Sequence, residues 1–134
     1  MNLPNNKGHL FIKYTMKKSI YILEDNDDIR ELISYLLVEE NYEVKGYPTV
    51  KEFKKIMLSS HPDMIVLDVM LADGNGIDVC DELKSNERTN DIPILMMSAH
   101  SQAYDIKQRC AAEDFISKPF DIDDFVKRVD RYLH

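Results

Sequence analysis

The stretch from Pro62 to Gly76, Pro-Asp-Met-Ile-Val-Leu-Asp-Val-Met-Leu-Ala-Asp-Gly-Asn-Gly, constrains the fold of this chain more than any other. Met64 to Leu67 is an unbroken apolar run bounded by His61-Pro62, the pattern of a strand buried on both faces of a parallel sheet. The run ends on a carboxylate, Asp68. Asp73-Gly74-Asn75-Gly76 is turn chemistry, with glycines to take positive φ, and it leads into an amphipathic segment. Asp68 is therefore expected at the carboxyl end of a central strand, where open α/β sheets place their ligand sites.

The same grammar recurs on either side. Ile20 to Leu23 is a second apolar run ending on acids, Glu24 and Asp25, after which Asn26 or Asp27 can cap a helix with Ile29, Leu32, Ile33, Leu36 and Leu37 on one face. Tyr42 to Tyr47 alternates apolar and polar, which predicts a strand with one wet face at the sheet edge. Thr49 opens a helix carrying Val50, Phe53, Ile56 and Met57, and Ile77, Cys80 and Leu83 mark a third. Ile92 to Met97 is a buried strand ending on Ser98, followed by a weakly amphipathic segment from about Ser101 to Ala112. Phe115 to Ser117 is a very short strand before Lys118-Pro119, and Asp121 caps a last helix with Ile122, Phe125, Val126, Val129, Tyr132 and Leu133 in a stripe. Five strand and helix repeats predict an α/β fold, a doubly wound, flavodoxin-like (βα)5 parallel sheet in the order 2-1-3-4-5.

Size and charge bound the function. At 134 residues the chain makes one domain, read as 16–134, with 1–15 as a flexible appendage. Its 17 basic and 24 acidic residues give a net charge of −7, which argues against direct nucleic-acid binding. No apolar run approaches the ~20 residues of a membrane span, so a soluble, cytoplasmic protein with no membrane partner is expected. Cys80 and Cys110, the only cysteines, both fall in predicted helices and read as reduced, partly buried thiols rather than a disulfide or metal site.

In a parallel sheet the strand ends share one rim, and here they bring together Glu24, Asp25, Asp68, Ser98 and Lys118. Crowded carboxylates are driven towards protonation unless a cation neutralises them, and a hard divalent ion such as Mg2+ fits. A lysine and a hydroxyl facing that ion suit the oxygens of a phosphoryl group. With Leu-Asp-Val-Met-Leu at its centre, this set resembles the receiver domain of two-component response regulators, from about Met16 onward. The resemblance implies that Asp68 is the phosphorylation site, accepting a phosphoryl group from a phosphohistidine on a sensor histidine kinase or phosphotransfer protein. It implies Mg2+ (or Mn2+) on Glu24, Asp25, Asp68 and the backbone carbonyl of Met70, contacts of Lys118 and Ser98 with the phosphoryl group, and a switch coupling Ser98 to Phe115. Pro119 would follow a cis bond. The domain would catalyse its own phosphorylation and slow dephosphorylation without being an enzyme in the ordinary sense. Its output would be a downstream protein target or an effector domain, with a homodimer on phosphorylation.

The sequence departs from that family at four places: Glu24 where Asp is usual, Ala72 for Pro, Ala111 for Gly, and Phe115 for the frequent Tyr. His100 is expected in solvent near the phosphoryl group, and Tyr104 as a half-buried ring. A metal-dependent phosphatase is disfavoured because Met70 stands where its second Asp would be, and a nucleotide binder because neither glycine-rich motif occurs. The remaining alternative is a degenerate receiver acting as a phosphorylation-independent interaction module, with Glu24 in its favour.

Overall fold

Parallel strands and covering helices alternate through the chain in the computed structural model, which describes residues 17–99 and 109–133. The elements are β1 (Ser19–Leu23), α1 (Asp27–Glu39), β2 (Glu43–Tyr47), α2 (Val50–Met57), β3 (Met64–Asp68), α3 (Gly76–Lys84), β4 (Ile94–Ala99), β5 (Asp114–Lys118) and α4 (Ile122–Leu133). The five strands form one sheet in the order β2-β1-β3-β4-β5, all neighbours parallel. A separate antiparallel ribbon, Met70–Leu71 against Gly74–Asn75, lies between β3 and α3.

Period-two alternation divides the core between the two faces. Ile20, Ile22, Met64, Val66, Leu95 and Met97 pack with Ile33 and Leu37 of α1 and Phe125 and Val129 of α4. Tyr21, Leu23, Ile65, Leu67, Ile94 and Met96 pack instead with Phe53 and Met57 of α2 and Ile77, Cys80 and Leu83 of α3. β3 is buried at every position, whereas β2 has three exposed residues and lies at the edge, as its alternation implied. Burying both faces of the central strands supplies most of the stability, since fully burying one such side chain contributes about 1.5–3 kcal/mol.

The helix starts follow cap chemistry. Asn26 Oδ1 accepts the Ile29 N–H at 3.0 Å, Thr49 Oγ1 that of Glu52 at 3.1 Å, and Asp121 Oδ1 that of Asp124 at 2.9 Å. α1 ends with Asn41 at φ 73°, and the Tyr42 N–H reaches back to the Leu37 carbonyl at 3.1 Å.

Four expectations need correction. β4 begins at Ile94, because Pro93 has no N–H to give a ladder; the Pro93 carbonyl still accepts from Ile65 N–H at 3.0 Å. β5 is five residues long and includes Lys118, held by pairing along β4 from Leu95 to Ala99. No described glycine has positive φ, so Gly74 and Gly76 are not there for turn freedom. Cys110 lies just past a helix end at Arg109 rather than within one. His100, Tyr104, most of the predicted fourth helix and the 1–15 appendage lie outside the described residues.

Candidate functional site

Strand register assembles the site. Leu23, the last residue of β1, pairs with Leu67, so Glu24 and Asp25 lie beside Asp68, while Asp68 pairs with Met97 and Ala99 with Lys118. One ligand atom from each of Glu24, Asp25 and Asp68 lies within 4.8 Å of the others. Glu24 and Asp68 are buried, at 1% and 6% exposure, and Asp25 is half-buried.

Lys118 is the cation that answers this charge. Its Nζ donates to Glu24 Oε1 at 2.7 Å and sits 3.2 Å from Asp68 Oδ1. Glu24 Oε2 accepts the Asn26 N–H at 3.1 Å, and Arg30 Nη1 pins the Glu24 carbonyl at 2.8 Å. Burial alone would raise the Glu24 pKa, but the Lys118 and Asn26 bonds and the lysine's charge hold it below the usual range. Asp68 goes the other way: burial first, then the Glu24 charge, push its carboxyl up to about 6. Burial alone would depress Lys118, yet its bond to Glu24 and the two carboxylate charges hold it above its ordinary value. One lysine therefore serves two buried acids unequally, and the site remains short of positive charge.

Ser98, paired with Ser117 on β5, is buried, and its hydroxyl has no hydrogen-bond partner among the described residues. A buried hydroxyl left unsatisfied costs about 1–3 kcal/mol. Phe115, three residues before Lys118, is half-buried and packs against the α2 and α3 side of the core. Met70 is exposed. The Lys118-Pro119 peptide is cis.

The loop beyond Asp68 is shaped by contacts that local pattern does not reveal. A Cβ on Gly76 would lie 2.0 Å from the Asp68 carbonyl oxygen, and the Gly76 N–H donates to the Val69 carbonyl at 2.7 Å. The glycine is needed because the start of α3 presses against the Asp68 backbone. Asp73 accepts the Val50 N–H at 2.9 Å and the Lys51 N–H at 3.1 Å, clamping the ribbon to the start of α2. Sequence reading took Asp73 only as a turn former; its partners lie more than twenty residues upstream and leave no local signal.

Residues 20–130 match the response regulator receiver domain. The chain belongs to the response regulator receiver family. It is 36% identical over 112 residues to the DNA-binding dual master transcriptional regulator RpaA of Synechocystis, a match covering 82% of this chain and 46% of that protein. To the phosphate regulon transcriptional regulatory protein PhoB of Pseudomonas aeruginosa it is 34% identical over 118 residues, covering 87% of this chain and 52% of that one. This receiver domain thus spans about half the length of the curated relatives it matches. The signal receiver domain of a Syntrophus aciditrophicus signal transduction histidine kinase superposes with a TM-score of 0.81 at 27% identity, covering 87% of this chain and 89% of that one. A response regulator of Chloroflexus aurantiacus, described as putative, gives the same TM-score and identity, with 98% of its own chain covered. The five-stranded receiver fold and its strand order agree with the expectation from sequence. Among the described residues no helix is long and apolar enough to cross a membrane.

Proposed function

We propose that this receiver accepts a phosphoryl group on Asp68 from the phosphohistidine of a sensor histidine kinase or phosphotransfer protein. The observation that carries this reading is the meeting of three carboxylates and Lys118 at one rim, with the buried Ser98 hydroxyl at the neighbouring strand end. The donor set fits Mg2+, or Mn2+ in its place: oxygens only, with an Asp68 carboxyl pushed up to about 6 by burial and then by the Glu24 charge. Asp25, Asp68 and the Met70 carbonyl would hold the ion, with Glu24 reaching it directly or through water. When bound, such an ion neutralises the acids and polarises the phosphoryl oxygens.

An ionised Asp68 oxygen attacks phosphorus, the P–N bond to the donor imidazole breaks, and an acyl phosphate remains on the aspartate. Lys118 turns its ammonium from Asp68 to the phosphoryl oxygens. Ser98 donates its hydroxyl to another of them. Drawing Ser98 towards the rim changes the packing beside Phe115, which changes the surface offered to a downstream target, an effector domain or a second copy. A groove of about 560 Å3 that includes Asp68 and Lys118 and is otherwise walled by apolar side chains such as Ile29, Leu32, Met70 and Phe120 offers the donor protein a seat.

One observation favours the second reading, a degenerate module that works without phosphate: Lys118 is closer to Glu24, at 2.7 Å, than to Asp68, at 3.2 Å. Intact-protein mass spectrometry after incubation with Mg2+ and acetyl phosphate separates the two, with Asp68→Ala alongside. Gain of one phosphoryl group by the wild type alone is the expected result. No gain by the wild type, even after Glu24→Asp, would favour the degenerate module.

A further inference from the structure

We propose that Cys80 and Cys110 form a modification site at which a hydroperoxide closes an intramolecular disulfide, joining α3 to the chain that enters β5. These are the only cysteines of the protein, thirty residues apart in sequence, and both are free thiols. The fold brings them together: Cys80, fully buried on α3, and Cys110, half-buried against the same apolar cluster, lie within side-chain hydrogen-bonding reach of one another.

Their surroundings give the two thiols different tasks. Cys110 is partly open to solvent and is the one a small oxidant can reach. Cys80 is shut away, and burial, then the neighbouring Cys110, push its thiol far above the usual range, so it cannot act first. The Cys110 thiolate attacks a peroxide oxygen, the O–O bond breaks, and the departing alkoxide or hydroxide takes up the proton; Cys110 becomes a sulfenic acid. The Cys80 sulfur then attacks the Cys110 sulfur and its proton leaves with the hydroxyl as water. Two thiols lose two electrons and two protons, and the hydroperoxide is reduced to an alcohol, or water, and water.

The backbone permits the shift this needs. Bringing two neighbouring sulfurs to the ~2.05 Å of a disulfide requires movement on one side, and residues 110–112 have no regular secondary structure to resist it. Chain regularity resumes when the Glu113 N–H donates to the Ile94 carbonyl at 3.1 Å. The closed bond would fix the segment feeding Phe115 against α3.

The test uses the full chain, reduced, freed of reductant and treated with a small excess of hydrogen peroxide, followed by intact mass, non-reducing peptide mapping and thermal unfolding. The expected product is a monomer lighter by two hydrogens, giving one peptide pair linked through Cys80 and Cys110, reverted by dithiothreitol. Its thermal midpoint should rise by on the order of 10 °C, the effect of closing a loop of this length. Cys80→Ser should leave Cys110 as a sulfenic acid that dimedone traps, and Cys110→Ser should leave Cys80 unmodified. Two free thiols after treatment of the native wild type, over-oxidation of Cys110 without a crosslink, or only intermolecular dimers would each overturn the proposal. The wild-type peptide map decides even where a serine variant does not fold.

Discussion

One methylene separates Glu24 from the aspartate usual at its position, and Glu24 is the acid that Lys118 meets more closely. The longer side chain reaches Nζ at 2.7 Å while its second oxygen accepts the Asn26 amide, so both Glu24 oxygens already have a donor before a cation arrives. Glu24→Asp should withdraw the carboxylate from the lysine and free an oxygen for the proposed Mg2+. The variant should need about tenfold less Mg2+ for half-maximal phosphorylation by acetyl phosphate, in the range typical of changes around a metal site. An unchanged Mg2+ dependence would mean that Glu24 is not what limits the site. Met70, two residues beyond Asp68, is 66% exposed and apolar, and it cannot orient a water for attack on an acyl phosphate. Met70→Asn should shorten the phosphoprotein's lifetime, followed by the decay of the phosphorylated mass after the donor is removed; an unaltered lifetime would show that Met70 does not shield the phosphoryl group.

At the scale of elements, β3, the ribbon and α3 act as one unit because Gly76 lets α3 begin against the Asp68 backbone. Gly76→Ala would place a methyl 2.0 Å from the Asp68 carbonyl oxygen, with backbone on both sides that cannot move cheaply. Unfolding in urea should show a loss of roughly 3 kcal/mol, the upper end for forcing atoms into a packed core, and phosphorylation should slow as Asp68 is displaced. A neutral effect on both would show that the loop relaxes freely. The strands themselves were legible in sequence because apolar runs such as Ile20–Leu23 and Met64–Leu67 alternate with amphipathic helices, which implies a parallel sheet, and parallel strands send all their ends to one rim. That reasoning set Glu24, Asp25, Asp68, Ser98 and Lys118 at neighbouring strand ends, which is where the register puts them. It could not show why Gly76 is glycine, since a contact with Asp68 and a positive φ leave the same letter. Nor could it find the Asp73 clamp on α2 or the meeting of Cys80 with Cys110, because partners more than twenty residues apart carry no periodic signal.

For the whole molecule, the site is a stability cost that the rest of the fold carries, and pH exposes it. Asp68 binds its proton more tightly in the folded protein, at about 6, than the ordinary 3.8 of an unfolded aspartate. A carboxyl raised in this way favours folding while protonated, below about 3.8, and that contribution disappears as pH rises through about 6. Glu24, lowered by Lys118, has the opposite sign: its contribution is present above the ordinary 4.5 and is lost as pH falls. Replacing Asp68 removes the first effect, because asparagine has nearly the shape of the protonated acid and never ionises, and it leaves Lys118 to Glu24 alone. In the absence of divalent ions, Asp68→Asn should therefore match the wild type at pH 4 and exceed it at pH 7.5 by roughly 2 kcal/mol, measured as urea unfolding across that range. Adding Mg2+ at pH 7.5 should close the gap by stabilising the wild type and leaving the variant nearly unchanged, as a ligand that binds only the folded state must. A gap that is constant from pH 4 to 7.5 would mean that the buried charge of Asp68 is already compensated without a cation. The positive charge lacking at the rim would then have to be sought elsewhere in the chain.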